Sequence, residues 1–302
     1  MKILRTPDKY FEHLPDYDFE PSYTTIKDND GTDIRIHCID LGPKDADPIL
    51  LMHGNPTWCY IYRNMIPELL KTGRRVIAVD LVGCGRSDKP SKRSDYSLVR
   101  HHNWMSKWLE AMNLNNISLF CQDWGGTIGL YLVSKYPEKF DRVITSNTGL
   151  PLGDVKNKYL TIWLLLMRFA PSFPWNTVLK KSFRGSLNEA EFNAYLAPFP
   201  KLKYQAGILK FPQLIAIHPD NPGVPANTAA WEGLMKFTKP FLTLFGAKDP
   251  ASKGWDKKAQ KHIPGAKGQP HVRLENVGHF SQEEAPQELL KSIIPFLHAK
   301  EG

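Results

Sequence analysis

Residues 121–126, with the sequence Cys-Gln-Asp-Trp-Gly-Gly, constrain this chain more than any other segment. They follow a short apolar segment typical of a strand, residues 117–120, and precede an apolar segment of helical character, residues 127–136. A sharp turn between a strand and a helix holds its central side chain exposed at the top of a sheet. Asp123 occupies that centre, with a cysteine and a glycine two places before and after it. A carboxylate there favours attack on a saturated carbon over acyl transfer from a serine.

The segments around this turn predict a mainly parallel sheet. Residues 48–52, 76–79 and 117–120 are continuous apolar runs, as expected of strands that are covered on both faces. Between them, residues 104–112 carry large apolar side chains at helical spacing, and residues 143–144 begin another short strand. This alternation is the βαβ pattern of an α/β protein, with helices flanking a mainly parallel central sheet.

The strand pattern stops at Gly149, and the next 79 residues differ in composition. Residues 150–228 are rich in aromatic residues and proline, and their apolar spacing is helical where it is regular, so we predict an inserted helical cap. Residues 1–149 and 229–302 then form one core domain. Strand patterns return at 240–246 and 271–274, and the chain ends in an amphipathic helix that we expect Pro295 to interrupt.

Composition and charge exclude several classes of protein. Lys and Arg exceed Asp and Glu by 39 to 31, but the excess is scattered, and no nucleic-acid-binding signature is present. The most apolar stretch is too short to span a bilayer, and the first residues do not form a secretory signal. The four cysteines form no CxxC pair and no cluster with metal spacing, so we predict a cytoplasmic protein without a metal or other cofactor.

Three side chains that could carry chemistry follow predicted strands. They occur in the order Asp123, Asp249 and His279, which is the order of nucleophile, acid and base in α/β-hydrolases. Sites in parallel sheets form beyond the carboxyl ends of the strands, so these residues can converge. Asp249 precedes a proline and could instead be a turn former. Asp80 also ends a strand, but its glycine-rich surroundings indicate a structural loop.

Two further features bear on the site. His101 and His102 lie where we expect the solvated start of a helix. The turn His53-Gly54-Asn55-Pro56 follows a strand and can offer a backbone N–H to an oxyanion. The N–H of Asn55 would then act together with that of Trp124, the residue after the nucleophile.

With these residues in place, the chain resembles the haloalkane dehalogenases of the α/β-hydrolase fold over almost its whole length. The cap segments carry most of the specificity, because the elbow and the His-Gly-x-Pro turn also occur in epoxide hydrolases. The matching segments are residues 53–58, 60–63, 85–90, 122–126, 193–200 and 204–207.

The resemblance implies two neutral N–H donors that hold the departing halide. Trp124 matches the first, through its indole N–H. The second varies within the family between a cap tryptophan and an asparagine of the turn. Phe183 stands at the cap position, so the resemblance favours Asn55, with Trp175, eight residues before Phe183, as the alternative.

The resemblance also bears on the acid and on the pocket. Some members place the acid after the strand that contains residues 143–144, but Asn147 stands there, so Asp249 is the better candidate. Phe183, Trp163 and Phe280 are expected as apolar pocket walls, or as ordinary core residues.

The expected activity is hydrolytic dehalogenation of small halogenated aliphatic compounds through an alkyl ester on Asp123. An epoxide hydrolase is the alternative, since Tyr195 and Tyr204 could protonate a ring oxygen. A third hypothesis is a binding receptor built on a hydrolase scaffold, but all three catalytic side chains are present. The expected partners are the substrate and a halide ion, with no nucleic acid and no membrane, and the expected assembly is a monomer or a small homo-oligomer.

Overall fold

The computed structural model describes residues 1–155, 158–183 and 187–299. Within these ranges the fold is built on one eight-stranded sheet. Its strands, in chain order, are β1 (Ser22–Lys27), β2 (Asp33–Leu41), β3 (Pro48–Met52), β4 (Arg75–Val79), β5 (Ile117–Gln122), β6 (Phe140–Ser146), β7 (Phe241–Gly246) and β8 (Val272–Leu274). Two short segments, Ile3–Leu4 and Lys89–Pro90, pair separately as an antiparallel ladder.

The strand order across the sheet is β8-β7-β6-β5-β3-β4-β2-β1. β2 runs antiparallel to both of its neighbours, β1 and β4. All the other neighbouring pairs, from β4 through β3 to β8, are parallel. Every residue of β3, β5 and β7 is buried, which explains why these strands read as continuous apolar runs. The predicted mainly parallel sheet is confirmed, and its parallel strands bring their carboxyl ends to one edge.

Helices cover both faces of the sheet, and the region predicted as a cap lies between β6 and β7. Their bounds are α1 (Ile66–Leu70), α2 (Leu98–Ala111), α3 (Asp123–Lys135), α4 (Lys158–Phe169), α5 (Trp175–Ser182), α6 (Glu189–Leu196), α7 (Ala206–Lys210), α8 (Val224–Leu234), α9 (Trp255–His262), α10 (Ser281–Glu284) and α11 (Pro286–His298). Two large buried apolar clusters, one on each side of the sheet, form the core.

The region predicted as a cap, residues 150–228, is helical where the structure describes it. The predicted boundary after residue 228 falls inside α8, which packs against α3 of the core. Helix α8 therefore belongs to both parts of the chain.

The prediction that Pro295 interrupts the last helix is wrong, because α11 runs from Pro286 through Pro295 to His298. Its buried face, which includes Leu289, Ile293 and Phe296, holds the helix against the sheet although Pro295 supplies no N–H. No helix in the described ranges combines the length and apolar character needed to cross a bilayer.

Candidate active site

The sharp turn between β5 and α3 presents Asp123 to the site. Asp123 has a φ of 51°, a left-handed conformation that is uncommon for a residue with a side chain and costs about 1–3 kcal/mol. Its carbonyl oxygen accepts a hydrogen bond from Thr148 Oγ1 at 2.7 Å, which helps to hold the bend. A Cβ on Gly125 would lie 2.1 Å from the Met52 carbonyl oxygen, so only glycine fits there. The predicted elbow is present, and its carboxylate lies at the positive end of α3.

The structure brings Asp123, His279 and Asp249 together. His279 Nε2 lies 3.3 Å from Asp123 Oδ2, and His279 Nδ1 lies 3.1 Å from Asp249 Oδ1. The Asp249 side chain is 1% exposed, whereas those of His279 and Asp123 are 18% and 23% exposed. The imidazole thus stands between a buried carboxylate and one that a small molecule can reach, as a base and its orienting acid do.

The surroundings of Asp249 keep it ionised. Burial acts against its charge, but the charge and hydrogen bond of His279 and the hydrogen bonds of Ser252 and Ala251 lower the pKa of Asp249 to about 2. The backbone N–H of Ala251 donates to Oδ1 at 2.9 Å, and the Ser252 hydroxyl donates to Oδ2. The alternative role of Asp249 as a turn former also holds, because its carboxylate accepts from the backbone N–H groups of Ala251 and Ser252.

The two carboxylates act on His279. Burial disfavours the imidazolium, but the charges of Asp249 and Asp123 and their hydrogen bonds outweigh it, so the pKa of His279 is well above its ordinary value. Removal of one of the two negative charges would lower this pKa and favour the neutral imidazole, the form that can accept a proton.

The turn after β3 places a backbone donor on the carboxylate of Asp123. The Asn55 N–H donates to Asp123 Oδ1 at 2.8 Å. A Cβ on Gly54 would lie 2.3 Å from the same oxygen, so glycine lets this backbone approach the carboxylate. The Asn55 side chain is partly buried, and its Nδ2 donates to the Ile208 carbonyl oxygen at 3.3 Å.

Trp124 directly follows Asp123 and is 6% exposed. Its ring contacts Phe211 of the cap at 5.1 Å between centroids. Within the described part of the chain, its indole N–H has no hydrogen-bond acceptor. This donor is therefore available to a bound anion.

A cavity of about 400 Å³ opens at these side chains. Asp123, Trp124 and His279 line it, together with Thr127 and Leu150. Most of the lining surface is apolar, which suits a small uncharged molecule. The reactive carboxylate thus faces a space of the size that a short aliphatic compound requires.

The aromatic residues predicted as pocket walls lie outside the lining of this cavity. Phe183 and Phe280 are buried, and their rings contact each other in a tilted arrangement with 4.7 Å between centroids. Phe280 also contacts the ring of His279. Trp163 is a partly buried residue of α4. Trp175 is partly buried between Phe173 and Phe199 and does not line the cavity either.

Sequence reasoning missed two polar residues that support His279. Asn147 donates from Nδ2 to the carbonyl oxygens of Gly278 and His279, and its Oδ1 accepts from the Gly246 N–H. The Nε2 atom of Gln122 lies 3.2 Å from the Nε2 atom of His279. The position of each at the end of a parallel strand was the available signal.

The expectation that His101 and His102 lie at a solvated helix start is wrong, because both are at most 2% exposed. His101 stacks on Phe211 of the cap, and His102 stacks on Tyr131 of α3. The cap and α3 cover a helix face that looks polar in the sequence. Burial lowers the pKa of each histidine to about 3, with a smaller contribution from a neighbouring positive charge.

Asp80, in the loop after β4, forms a buried polar cluster with His37 of β2 and with Cys59, which follows β3. The possible ligand atoms of the three residues lie within 4.8 Å of one another. Asp80 accepts hydrogen bonds from the backbone N–H groups of Cys59 and Arg86, each at 2.8 Å, and lies 2.7 Å from His37 Nδ1. A metal ion would have to displace these donors. The cluster is better explained as the support of this loop, which agrees with the structural role predicted for Asp80.

The comparison with known proteins supports the same family. The model of the alpha/beta hydrolase fold matches residues 47–286. A haloalkane dehalogenase of Psychrobacter cryohalolentis is 48% identical over 299 residues, covering 99% of both chains. One from Mycolicibacterium paratuberculosis is 43% identical over 300 residues, again covering 99% of both.

A solved structure shows the same relationship in three dimensions. The tetrameric haloalkane dehalogenase DpaA of Paraglaciecola agarilytica NO2 is 31% identical, with a TM-score of 0.91. The match covers 99% of this chain and 100% of DpaA. With the elbow, the Asp–His–Asp arrangement and the apolar cavity, these matches show that the chain belongs to the haloalkane dehalogenase family of α/β-hydrolase-fold enzymes, hydrolases that act on carbon–halide bonds.

Proposed function

We propose that the chain hydrolyses haloalkanes through a covalent alkyl ester on Asp123. The observation that carries this proposal is the position of Asp123 at the elbow, facing an apolar cavity, with His279 Nε2 at 3.3 Å. In the first step one carboxylate oxygen attacks the halogen-bearing carbon from the side opposite the halogen. The carbon–oxygen bond forms, the carbon–halogen bond breaks, and halide leaves with the electron pair.

Two N–H groups would hold the departing halide. The indole N–H of Trp124 has no acceptor within the described part of the chain, and Asn55 Nδ2 has a second hydrogen besides the one near Ile208. Neutral donors stabilise the charge that develops in the transition state. Trp175 remains the alternative second donor, and neither Asn55 nor Trp175 is among the residues that line the cavity. Asn55 is favoured because its backbone N–H contacts Asp123 Oδ1 at 2.8 Å.

The second step regenerates the nucleophile. Water attacks the ester carbonyl of Asp123, and His279 Nε2 takes the proton from that water. The N–H groups of Asn55 and Trp124 would stabilise the oxyanion, and the Asn55 N–H is already 2.8 Å from Asp123 Oδ1. When the tetrahedral intermediate collapses, its bond to the alkoxide oxygen breaks, and the alkoxide takes the proton of the imidazolium and leaves as the alcohol. The carboxyl group of Asp123 then releases the second proton of the water to solvent, which restores the carboxylate.

Ester formation itself prepares the base. It removes the charge of Asp123 and the carboxylate acceptor at 3.3 Å, two of the factors that raise the pKa of His279. The pKa then falls, so the imidazole can accept a proton when hydrolysis requires it. Asp249 keeps its charge and stabilises the imidazolium.

The epoxide hydrolase alternative lacks a suitable acid in the described residues near the nucleophile. The Tyr195 hydroxyl is buried and donates to Glu283, which also pairs with Arg63 at 2.6 Å. Neither Tyr195 nor Tyr204 lines the cavity at Asp123. An oxygen that remains on the substrate would therefore not find the proton that ring opening needs.

The pocket, the assembly and the location remain proposals. Phe280 would back the substrate site through its contact with His279, with Phe183 packed against it, whereas Trp163 does not line the cavity. A small homo-oligomer agrees with the tetrameric relative DpaA and with four exposed apolar residues on α4. These residues are Ile162, Leu165, Leu166 and Phe169. A monomer and a cytoplasmic location stay predictions from the sequence.

The decisive experiment uses His279→Ala and a 1-bromoalkane. Since His279 acts in the second step, the variant should release about one bromide per chain and stop as an alkyl-enzyme. Mass spectrometry should find the alkyl group on the peptide that contains Asp123. His262→Ala, at an exposed position on α9, serves as the control and should turn over normally.

Two outcomes would contradict the mechanism. One is bromide release without an alkyl group on Asp123, and the other is an alkyl group on a different residue. Repeated turnover by the unmodified chain in ¹⁸O-labelled water should also place the label in the Asp123 carboxylate. Diol formation from styrene oxide would favour the epoxide alternative.

A further inference from the structure

Gln122 is a fully buried polar residue that the proposed mechanism does not yet use. It is the last residue of β5 and directly precedes the nucleophile. Its Nε2 lies 3.2 Å from His279 Nε2, closer to that nitrogen than Asp123 Oδ2, which lies at 3.3 Å. The catalytic nitrogen therefore has two neighbours with opposite hydrogen-bonding character.

The orientation of the Gln122 amide follows from its other contacts. Its Nε2 donates to the His279 carbonyl oxygen at 3.0 Å. Its Oε1 accepts from Gln282 Nε2 at 3.4 Å. Exchanging the amide oxygen and nitrogen would place an oxygen against the His279 carbonyl oxygen. The amide N–H group must therefore be the one that faces the imidazole.

An N–H donor beside Nε2 requires a lone pair on that nitrogen. The imidazole then carries its proton on Nδ1, which is 3.1 Å from Asp249 Oδ1. Hydrogen bonding to the neutral form of a base disfavours its charged form. The Asp123 carboxylate acts in the opposite direction, because it favours a proton on Nε2.

We propose that Gln122 is a positioning residue that holds His279 as the Nδ1–H tautomer during ester hydrolysis. This inference rests on the proposed function. Before alkylation, the carboxylate of Asp123 competes with Gln122 for Nε2. Once Asp123 is an ester, its charge is gone, and the amide of Gln122 keeps the Nε2 lone pair directed for the proton of the attacking water.

Other charged groups near His279 also affect its pKa, so the effect of the Gln122 amide has to be separated from theirs. Asp123 on α3 and Asp249 after β7 contact the ring directly. Glu284 of α10 accepts from the backbone N–H of Gly278. Further charged residues line the same cavity, namely Asp154, Lys253 and Lys258. Substitution of Gln122 leaves all of these groups in place.

The test compares Gln122→Met with the unmodified chain. Methionine keeps the length of the side chain but has no N–H donor. The alkyl-enzyme is formed in a burst, and its hydrolysis is then followed at several pH values. Loss of one neutral hydrogen bond to the uncharged imidazole should raise the pKa of His279. The acidic limb of the pH profile of ester hydrolysis should therefore move upward by about half to one pH unit. At a pH below the limb this corresponds to a rate about three to ten times lower, whereas the bromide burst should be retained.

Gln122→Glu provides the second variant if the methionine variant does not fold. Its carboxylate would favour a proton on Nε2, so the limb should move further upward than in Gln122→Met. Gln260→Glu is the matched control, since Gln260 donates to Thr243 at 2.7 Å and does not line the cavity. It should leave the limb unchanged.

An unchanged limb in both Gln122 variants, with or without a uniformly lower rate, would overturn this inference but leave the covalent mechanism intact. That result would mean that Gln122 only supports the packing around His279. If His279→Ala forms no alkyl-enzyme on Asp123, the proposed function itself fails, and the role inferred for Gln122 fails with it. These two failures are distinguishable, since one is seen in the pH profile and the other in the mass of the Asp123 peptide.

Discussion

Replacing Asn55 by alanine separates two roles that one residue is expected to combine. The backbone N–H of Asn55 donates to Asp123 Oδ1 at 2.8 Å, and any residue except proline supplies that donor. Only the side-chain Nδ2 would contact the halide. Asn55→Ala should therefore keep the oxyanion donor and remove one halide donor.

The size of the effect follows from the contacts of Nδ2. A hydrogen bond to a charged group contributes about 1.5–3 kcal/mol, or roughly 10- to 100-fold in affinity. Nδ2 has only a long contact of 3.3 Å to the Ile208 carbonyl oxygen, so little existing bonding offsets the loss. We expect bromide to bind about tenfold or more weakly to Asn55→Ala.

Bromide affinity can be measured by product inhibition, with titration calorimetry as an independent check. Trp175→Phe is the comparison variant, because it removes the alternative N–H donor and keeps an aromatic ring. Its bromide affinity should stay within about threefold of the unmodified chain, less than the loss of one charged hydrogen bond. The thermal unfolding of both variants identifies any general loss of structure.

The reverse result would refute this reasoning. If Trp175→Phe weakened bromide binding tenfold while Asn55→Ala left it unchanged, the second donor would belong to the cap. An equal loss in both variants would mean that the two donors share the halide. Only a selective loss in Asn55→Ala agrees with the geometry of the turn.

Two further predictions concern the acid and the buried histidines. Asp249→Asn should retain the bromide burst but slow ester hydrolysis about 100-fold or more, because the imidazolium of His279 loses its charged partner. Rapid-quench measurements follow the two steps separately, and equal slowing of both would contradict this prediction. Burial lowers the pKa of His101 to about 3 in the folded state, whereas in the unfolded state it is near 6.5. As the pH falls from about 6.5 toward 3, the unfolded state therefore binds a proton that the folded state does not, and the free energy of unfolding decreases. The loss between pH 7 and pH 5 should be about 2 kcal/mol for this residue. His101→Phe should reduce that loss in urea unfolding, whereas the exposed His262→Phe should not.

Much of the fold was predictable because its signals are local. The buried strands β3, β5 and β7 read as continuous apolar runs, since both faces of a central parallel strand are covered. Pro295 misled the prediction because the penalty for an internal proline is local, whereas the packing that offsets it comes from distant strands.

The candidate site was predictable for a different reason. In a parallel sheet the carboxyl ends of the strands meet, so residues far apart in sequence, such as Asp123 and His279, were expected to converge. The histidines of α2 were not, because His101 and His102 are buried by Phe211 and Tyr131, and no local pattern indicates that cover. The aromatic residues that the sequence suggested as pocket walls likewise do not line the cavity.

The sequence by itself determined where a carboxylate stands on a sharp turn, because a strand, a glycine and a helix start suffice to place it there. It also determined which residues follow the other strands. Only the tertiary structure decided how these groups interact. The tautomer proposed for His279, the donor on Asp123 Oδ1 and the amide of Gln122 depend on distances of about 3 Å between residues up to 157 positions apart. Such distances follow from strand register and packing, which no local segment encodes.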